Sequence, residues 1–126
     1  MGRTLNKQTY VEEAEKIIIE LKGSSKKGKM ISTSKLRSML SMLSGLYNRV
    51  VHSSEKYLDE DVQYDLKYYK VRCAYEAGRD QEVKRFIEKT HMMDYVDWIE
   101  NSKEHFVLYY HYVEALVAYH KYYGGE

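Results

Sequence analysis

The chain has 126 residues, with 20 Lys+Arg against 19 Asp+Glu for a net charge of +1, one cysteine, no proline and 14 tyrosines. That length suits a single domain. The lone cysteine excludes an internal disulfide and any C-x-x-C zinc or redox site, no apolar run approaches the roughly 18 residues that span a bilayer, and near-neutrality excludes a polycation that coats nucleic acid indiscriminately. With no apolar stretch at the N-terminus to act as a secretory signal, a soluble, cytoplasmic protein without a membrane partner is expected.

The apolar residues recur at helical spacing throughout, and proline, the strongest helix breaker, is absent. A first helix is predicted from Thr9, whose pairing with Glu12 has the form of a capping box, with Tyr10, Ala14, Ile17, Ile18 and Leu21 inward and Gly23 as its stop. Residues 23–30, rich in Gly, Ser and Lys, read as a flexible basic loop. Ser32, Thr33 and Ser34 are candidate N-caps for a second helix reaching Val51, with Leu36, Leu40, Leu43, Tyr47 and Val50 inward. Gly45 inside it suggests close packing against a neighbour. Asp59, Glu60 and Asp61 suit the positive end of a third helix, which buries Val62, Leu66, Tyr69, Cys73 and Ala77 and ends at Gly78 in a left-handed cap. Asp80 caps a short fourth helix carrying Val83, Phe86 and Ile87. A further turn or short helix covers 92–99 and carries Trp98. The last runs from about Ser102 to Tyr123, with Phe106, Tyr109, Tyr110, Val113, Leu116 and Val117 inward, and Gly124-Gly125 terminates it. The expected fold is all-α, a compact single-domain bundle of five or six helices.

The chemistry-bearing motifs point away from an enzyme. The seven glycines never approach a phosphate-binding loop, and the five histidines contain no i, i+4 pair of the zinc-protease type. His111 with Glu114 reads as a surface pair and not a metal site, Cys73 as a small buried hydrophobe and not a nucleophile, and the pairs Glu12/Glu13 and Asp94/Asp97 as ordinary helix-surface acids. Neither a metal nor an organic cofactor is expected.

Charge is distributed unevenly: residues 1–58 hold 11 Lys+Arg and 5 Asp+Glu, a net +6, whereas residues 59–126 carry −5. Such a split suits one basic face on a neutral body, or subunits stacking head to tail. On the third helix, Tyr68, Arg72, Tyr75 and Arg79 fall at i, i+4, i+7 and i+11, away from the core stripe. Arginines interleaved with aromatic rings suit nucleic acid, the guanidinium holding phosphate and the ring stacking on bases or bonding to sugar. The same residues would also arise if the tyrosines packed on a neighbouring helix under a cover of arginine. The second helix carries a parallel band of Arg37, Ser41, Ser44 and Asn48, and a second basic edge of Lys35, Met42 and Arg49. Short hydroxyl and amide groups beside a cation permit close approach of a phosphate backbone, without any base-reading code.

Three blocks carry a resemblance: Ile31-Ser32-Thr33-Ser34-Lys35-Leu36-Arg37, then residues 70–80 (KVRCAYEAGRD), then residues 114–125 (EALVAYHKYYGG). Taken in order they strongly resemble the small subunit of the type III-A CRISPR effector (Csm) complex, over nearly the whole chain. The resemblance implies a helical, non-catalytic protein present in several copies along a CRISPR RNA, forming an inner filament beside the backbone subunits. It implies that cleavage of target RNA belongs to the backbone subunit, and DNA cleavage and cyclic-oligoadenylate synthesis to the large subunit. The small subunits would line the channel of the guide–target duplex through sugar and phosphate, since guide pairing already supplies specificity. The implied partners are therefore CRISPR RNA and target RNA, the backbone and large subunits, and further copies of the chain. An adaptor that meets only protein, through its tyrosine-rich faces, is the alternative. Carried onto this sequence, the RNA-contacting candidates are Arg37 from the first block, Lys70, Arg72 and Arg79 from the second, and Lys121 from the third. Lys35, Arg49, Tyr68 and Tyr75 join them from the helical faces. Lys70 projects from a different side than Arg72 and Arg79 and so could serve a neighbouring subunit, and Lys121 also fits a cation favoured by a helix C-terminus.

Overall fold

A computed structural model describes residues 3–24 and 30–124. Six helices occur among them: α1 (Tyr10–Ser24), α2 (Thr33–Val51), α3 (Glu60–Arg79), α4 (Gln81–Thr90), α5 (Met92–Ile99) and α6 (Lys103–Tyr122). The all-α bundle expected from the sequence is what forms.

The helix starts follow local chemistry. An extended Ser32 caps α2 by accepting from the Lys35 N–H, Asp59 caps α3 through Val62 N–H at 2.8 Å, and Ser102 caps α6 through His105 N–H. Asp80 lies between α3 and α4 in an extended conformation, ends the first and caps the second, accepting from the N–H groups of Glu82 and Val83. His91, in the left-handed region at φ 60°, makes the corresponding break between α4 and α5.

Four expectations are corrected. At the start of α1 the turn is made by Asn6: its carbonyl accepts from Thr9 and Tyr10 N–H, and its side chain from Gln8 N–H. Gly23 does not stop α1, which continues through Ser24; the rest of the expected basic loop, residues 25–29, lies outside the described residues, as does Gly125. Gly78 is not a left-handed cap, because α3 passes through it to Arg79 and the extended Asp80, its backbone N–H on the Glu76 carbonyl, supplies the stop. A side chain at Gly45 would meet nothing within 4 Å, so no close packing explains that glycine.

The core forms around α6, which packs on α1, α2 and α5, while α3 lies between α2 and α4. Phe106, Leu108, Tyr109, Tyr110, Tyr112, Val113, Leu116 and His120 of α6 are all buried, on more than one side of the helix. On α2 the buried line is Leu36, Met39, Leu43, Leu46 and Val50, while Leu40 and Tyr47 sit half-exposed at its margin, Tyr47 stacked on Tyr110. Burying so many tyrosines requires partners for their hydroxyls. Tyr112 donates to the carbonyl of Thr90 at 3.0 Å, Tyr69 and Tyr109 share a hydrogen bond at 3.2 Å, and Tyr95 donates to Glu13. Cys73 is fully buried beside Tyr69, and burial pushes its thiol up to about 11, which suits a packing residue and not a nucleophile.

A single antiparallel bridge between Tyr57 and Ser102 ties the loop before α3 to the loop before α6, through Leu58 N–H on the Asn101 carbonyl and Lys103 N–H on the Lys56 carbonyl. No helix among the described residues is long and apolar enough to cross a membrane.

Candidate nucleic-acid interface

Packing of α2 against α3 opens a groove of about 650 Å³, and it brings residues from two separate sequence blocks together. Arg37, Ser38 and Ser41 enter it from α2, Arg72 and Glu76 from α3, and Lys35 stands at its end. Met42 continues the surface into a second groove, of about 350 Å³, lined by Gly45, Arg49, Asp65 and Tyr68. Arg37 and Ser41 of the α2 band and Tyr68 and Arg72 of the α3 band thus line one continuous surface.

The candidate cations divide by how firmly they are held. Lys35 Nζ lies 2.5 Å from Asp80, Arg49 2.8 Å from Asp65, and Lys70 2.6 Å from Asp97. Hydrogen bonding from Lys35 holds the Asp80 carboxyl below its usual range, and the bond to Asp65 raises the Arg49 guanidinium further. The expected basic edge of Lys35, Met42 and Arg49 therefore carries cations already matched by acids. Arg37 makes no ion pair with any described residue. Arg72 and Arg79 stand between these cases, reaching the same carboxylate, Glu76, at only 4.0 and 3.6 Å.

Tyr68 and Tyr75 are each 56 % exposed, so more than half of each side chain is open to solvent and not covered by a neighbouring helix. The arginine cover does form, with the Arg72 and Arg79 guanidiniums 5.8 and 5.4 Å from the centre of the Tyr75 ring. Stacking orients both cations while leaving their N–H groups available at the ring edge. Tyr64, Tyr68, Val71 and Tyr75 make a continuous exposed apolar line along α3.

Two candidates lie elsewhere. Lys70 faces a groove of about 640 Å³ between α3 and α5, beside Lys67 and Glu100. Lys121 sits exposed in the last turn of α6, where the carbonyls of the helix end favour a cation. On α2, Ser44 turns its hydroxyl back onto the Ser41 carbonyl, and the Asn48 carbonyl is taken by His52. Reading the helical faces missed Ser38 and Glu76. The spacing of Glu76 from Arg72 and Arg79 could have exposed the second; nothing in sequence separates Ser38 from its neighbours. Among the described residues no three His, Cys, Asp or Glu side chains converge as a metal site would require.

Comparison with known proteins points to one family. The family described as Csm2 Type III-A matches residues 5–126. The chain is similar to the "CRISPR system Cms protein Csm2" of Enterococcus italicus, with 45 % identity over 95 residues, covering 74 % of this chain and 68 % of that protein. It is similar also to the protein of the same name from Streptococcus thermophilus, 38 % identical over 122 residues and 97 % of each chain. A third, from Mycobacterium tuberculosis, is 30 % identical over 113 residues, 90 % of each.

Proposed function

The chain belongs to the Csm2 family, the small subunit of the type III-A CRISPR complex, and from that premise we propose that its α2–α3 surface binds the sugar–phosphate backbone of RNA. The observation that carries this reading is the meeting of Arg37 and Arg72 across one groove, floored by the serine hydroxyls of α2. Arg37 makes no ion pair with a described residue and Arg72 is only loosely paired, so binding a phosphate breaks no strong contact among the described residues. No element offers a base-reading pattern, and none is needed where guide pairing selects the sequence. In this reading the subunit cleaves nothing. It lines the guide–target duplex in the cytoplasm, stacks with further copies of itself, and meets the backbone and large subunits.

Few phosphates are neutralised by one copy, so affinity accumulates over the copies along the RNA. Replacing Arg37 and Arg72 together with Glu is expected to shorten the protected RNA in the reconstituted complex while leaving assembly intact. Unchanged protection with unchanged assembly would overturn the assignment of the groove.

One observation favours a second reading. The exposed line of Tyr64, Tyr68, Val71 and Tyr75 is the kind of surface that protein partners cover. An adaptor using that line alone would leave RNA untouched. RNA carrying photo-crosslinkable nucleotides, irradiated in the assembled complex, would then attach only to other subunits.

A further inference from the structure

The α2–α3 groove contains a group that an anion site has no use for. Glu76 lines it beside Arg72, and its side chain is 23 % exposed where those of Arg72 and Arg79 are 45 % and 58 % exposed. A carboxylate there opposes every phosphate that approaches the two guanidiniums. If it served only to pair with the arginines, short charge-assisted hydrogen bonds would be expected, like the 2.5 to 2.8 Å contacts of Lys35, Arg49 and Lys70 with their acids. At 4.0 and 3.6 Å the Glu76 oxygens are within reach of the arginine charge but accept no side-chain hydrogen bond from any described residue. The guanidiniums are instead held over the Tyr75 ring.

Glu76 is thus an acceptor with unused lone pairs, flanked by cations. An ionised carboxylate only accepts. In a nucleic-acid backbone the phosphates and ring oxygens are acceptors too, and the one donor is the 2′-hydroxyl of ribose, which deoxyribose lacks. We infer that Glu76 selects ribose over deoxyribose in this groove, accepting a hydrogen bond from a 2′-hydroxyl while Arg72 and Arg37 hold flanking phosphates. Without the 2′-hydroxyl the carboxylate remains desolvated and repels the backbone, so the same group that rewards RNA penalises DNA. Ser38 and Ser41, able to donate or accept, adapt to either. This inference rests on the reading of the groove as a backbone-binding site and adds to it the sugar that the site takes.

The test uses the free full chain at low salt, where a site of few phosphates binds most tightly, and two double-stranded probes of one sequence. One is RNA. The other carries 2′-fluoro in place of the 2′-hydroxyl, which retains the A-form shape and the phosphates but removes the donor. Fluorescence anisotropy is expected to show the RNA bound roughly three- to tenfold more tightly, the effect of one hydrogen bond to a partly exposed charged acceptor. Glu76→Ala, on an otherwise unchanged helix surface, is expected to bring the ratio to about one, chiefly by raising affinity for the fluoro duplex. Glu76→Gln, which keeps an acceptor oxygen without the charge, should retain part of the preference. A preference that survives Glu76→Ala undiminished, in a variant with unchanged helical circular dichroism, would overturn the inference, as would equal binding of both probes by the unaltered chain. Either result, with binding lost in the Arg37/Arg72 double variant, would leave the groove's role in backbone binding standing. Failure of the unaltered chain to bind either probe at low salt would overturn that role itself.

Discussion

Asp80 does three things at one position, and the two performed by its side chain can be separated by substitution. Its Oδ1 caps α4 through Glu82 N–H at 2.9 Å and Val83 N–H at 3.4 Å, its backbone N–H closes α3 on the Glu76 carbonyl, and its Oδ2 holds Lys35 of α2 at 2.5 Å. Asp80→Ala removes the cap, at about 1 kcal/mol, and the ion pair, worth less than about 1 kcal/mol because both groups are partly exposed. The sum, about 1.5 kcal/mol, corresponds to a fall in Tm of roughly 6 °C for a chain of this size. Asp80→Asn keeps a good N-cap and loses only the charge, so it should cost less than half as much. Thermal unfolding followed by circular dichroism measures both. The acid side supplies a second signature. Lys35 holds the native carboxyl below its unfolded value, so the advantage of aspartate over asparagine at this position is complete above the ordinary carboxylate pKa of about 4 and disappears as pH falls through the lower native value. An Asp80→Asn variant as unstable as Asp80→Ala at neutral pH, or a difference between aspartate and asparagine unchanged in strong acid, would refute this division of roles.

Gly45→Ala and Gly78→Ala should each stabilise by about 0.5–1 kcal/mol, since both lie inside helices with open space where the methyl would go, and a shift of the urea midpoint to lower concentration would contradict this. Glu100 occupies φ 51°, ψ −115° in the turn closed by Ser102 N–H on the Ile99 carbonyl, a conformation that favours glycine. Glu100→Gly should therefore raise stability by about 1 kcal/mol after the added freedom of the unfolded chain is deducted, readable as a higher Tm. Tyr112→Phe strands the buried carbonyl of Thr90 and should cost about 1–2 kcal/mol in urea unfolding with an unchanged m-value.

The places where sequence reading and structure part company share a cause. Asn6 took over the turn before α1 from Thr9, and Asp80 took over the end of α3 from Gly78, because a helix end is decided by whichever nearby group reaches its free N–H or carbonyl groups, and several were competent to do so. On α2, period and register selected Leu36, Leu43 and Val50 correctly, but Met39 and Leu46 are buried in place of Leu40 and Tyr47, a small rotation of the helix that the pattern tolerates. On α6 the burial of Tyr112 and His120 was not visible at all. That helix is buried around most of its girth, with only a narrow exposed strip through Glu104, Glu114, Ala118 and Lys121, so periodicity marks the buried side poorly, and His120 is accommodated because its Nε2–H meets the Ile31 carbonyl at 2.7 Å, 89 residues away in sequence. The candidate cations were legible as residues and as helical faces, and the family membership was legible in three short blocks.

Composition and local order alone were enough to determine that the chain is helical, where its helices lie to within a residue or two, and the approximate direction of most inward stripes. Those properties depend on interactions within one turn of helix. Which basic side chains remain available to a ligand was decided by tertiary structure. Lys35 and Asp80 are 45 residues apart, Lys70 and Asp97 27, and Arg49 and Asp65 16, and each pairing depends on how two helices are set against each other. The near-balance of charge in the sequence is therefore not an absence of binding capacity. Most of the candidate cations are matched by acids from another helix or a neighbouring turn, and the packing of α2 on α3 leaves Arg37 with no ion pair among the described residues and facing Arg72 across a groove, because ion pairs form wherever folding brings opposite charges within reach and the few left over define the surface potential.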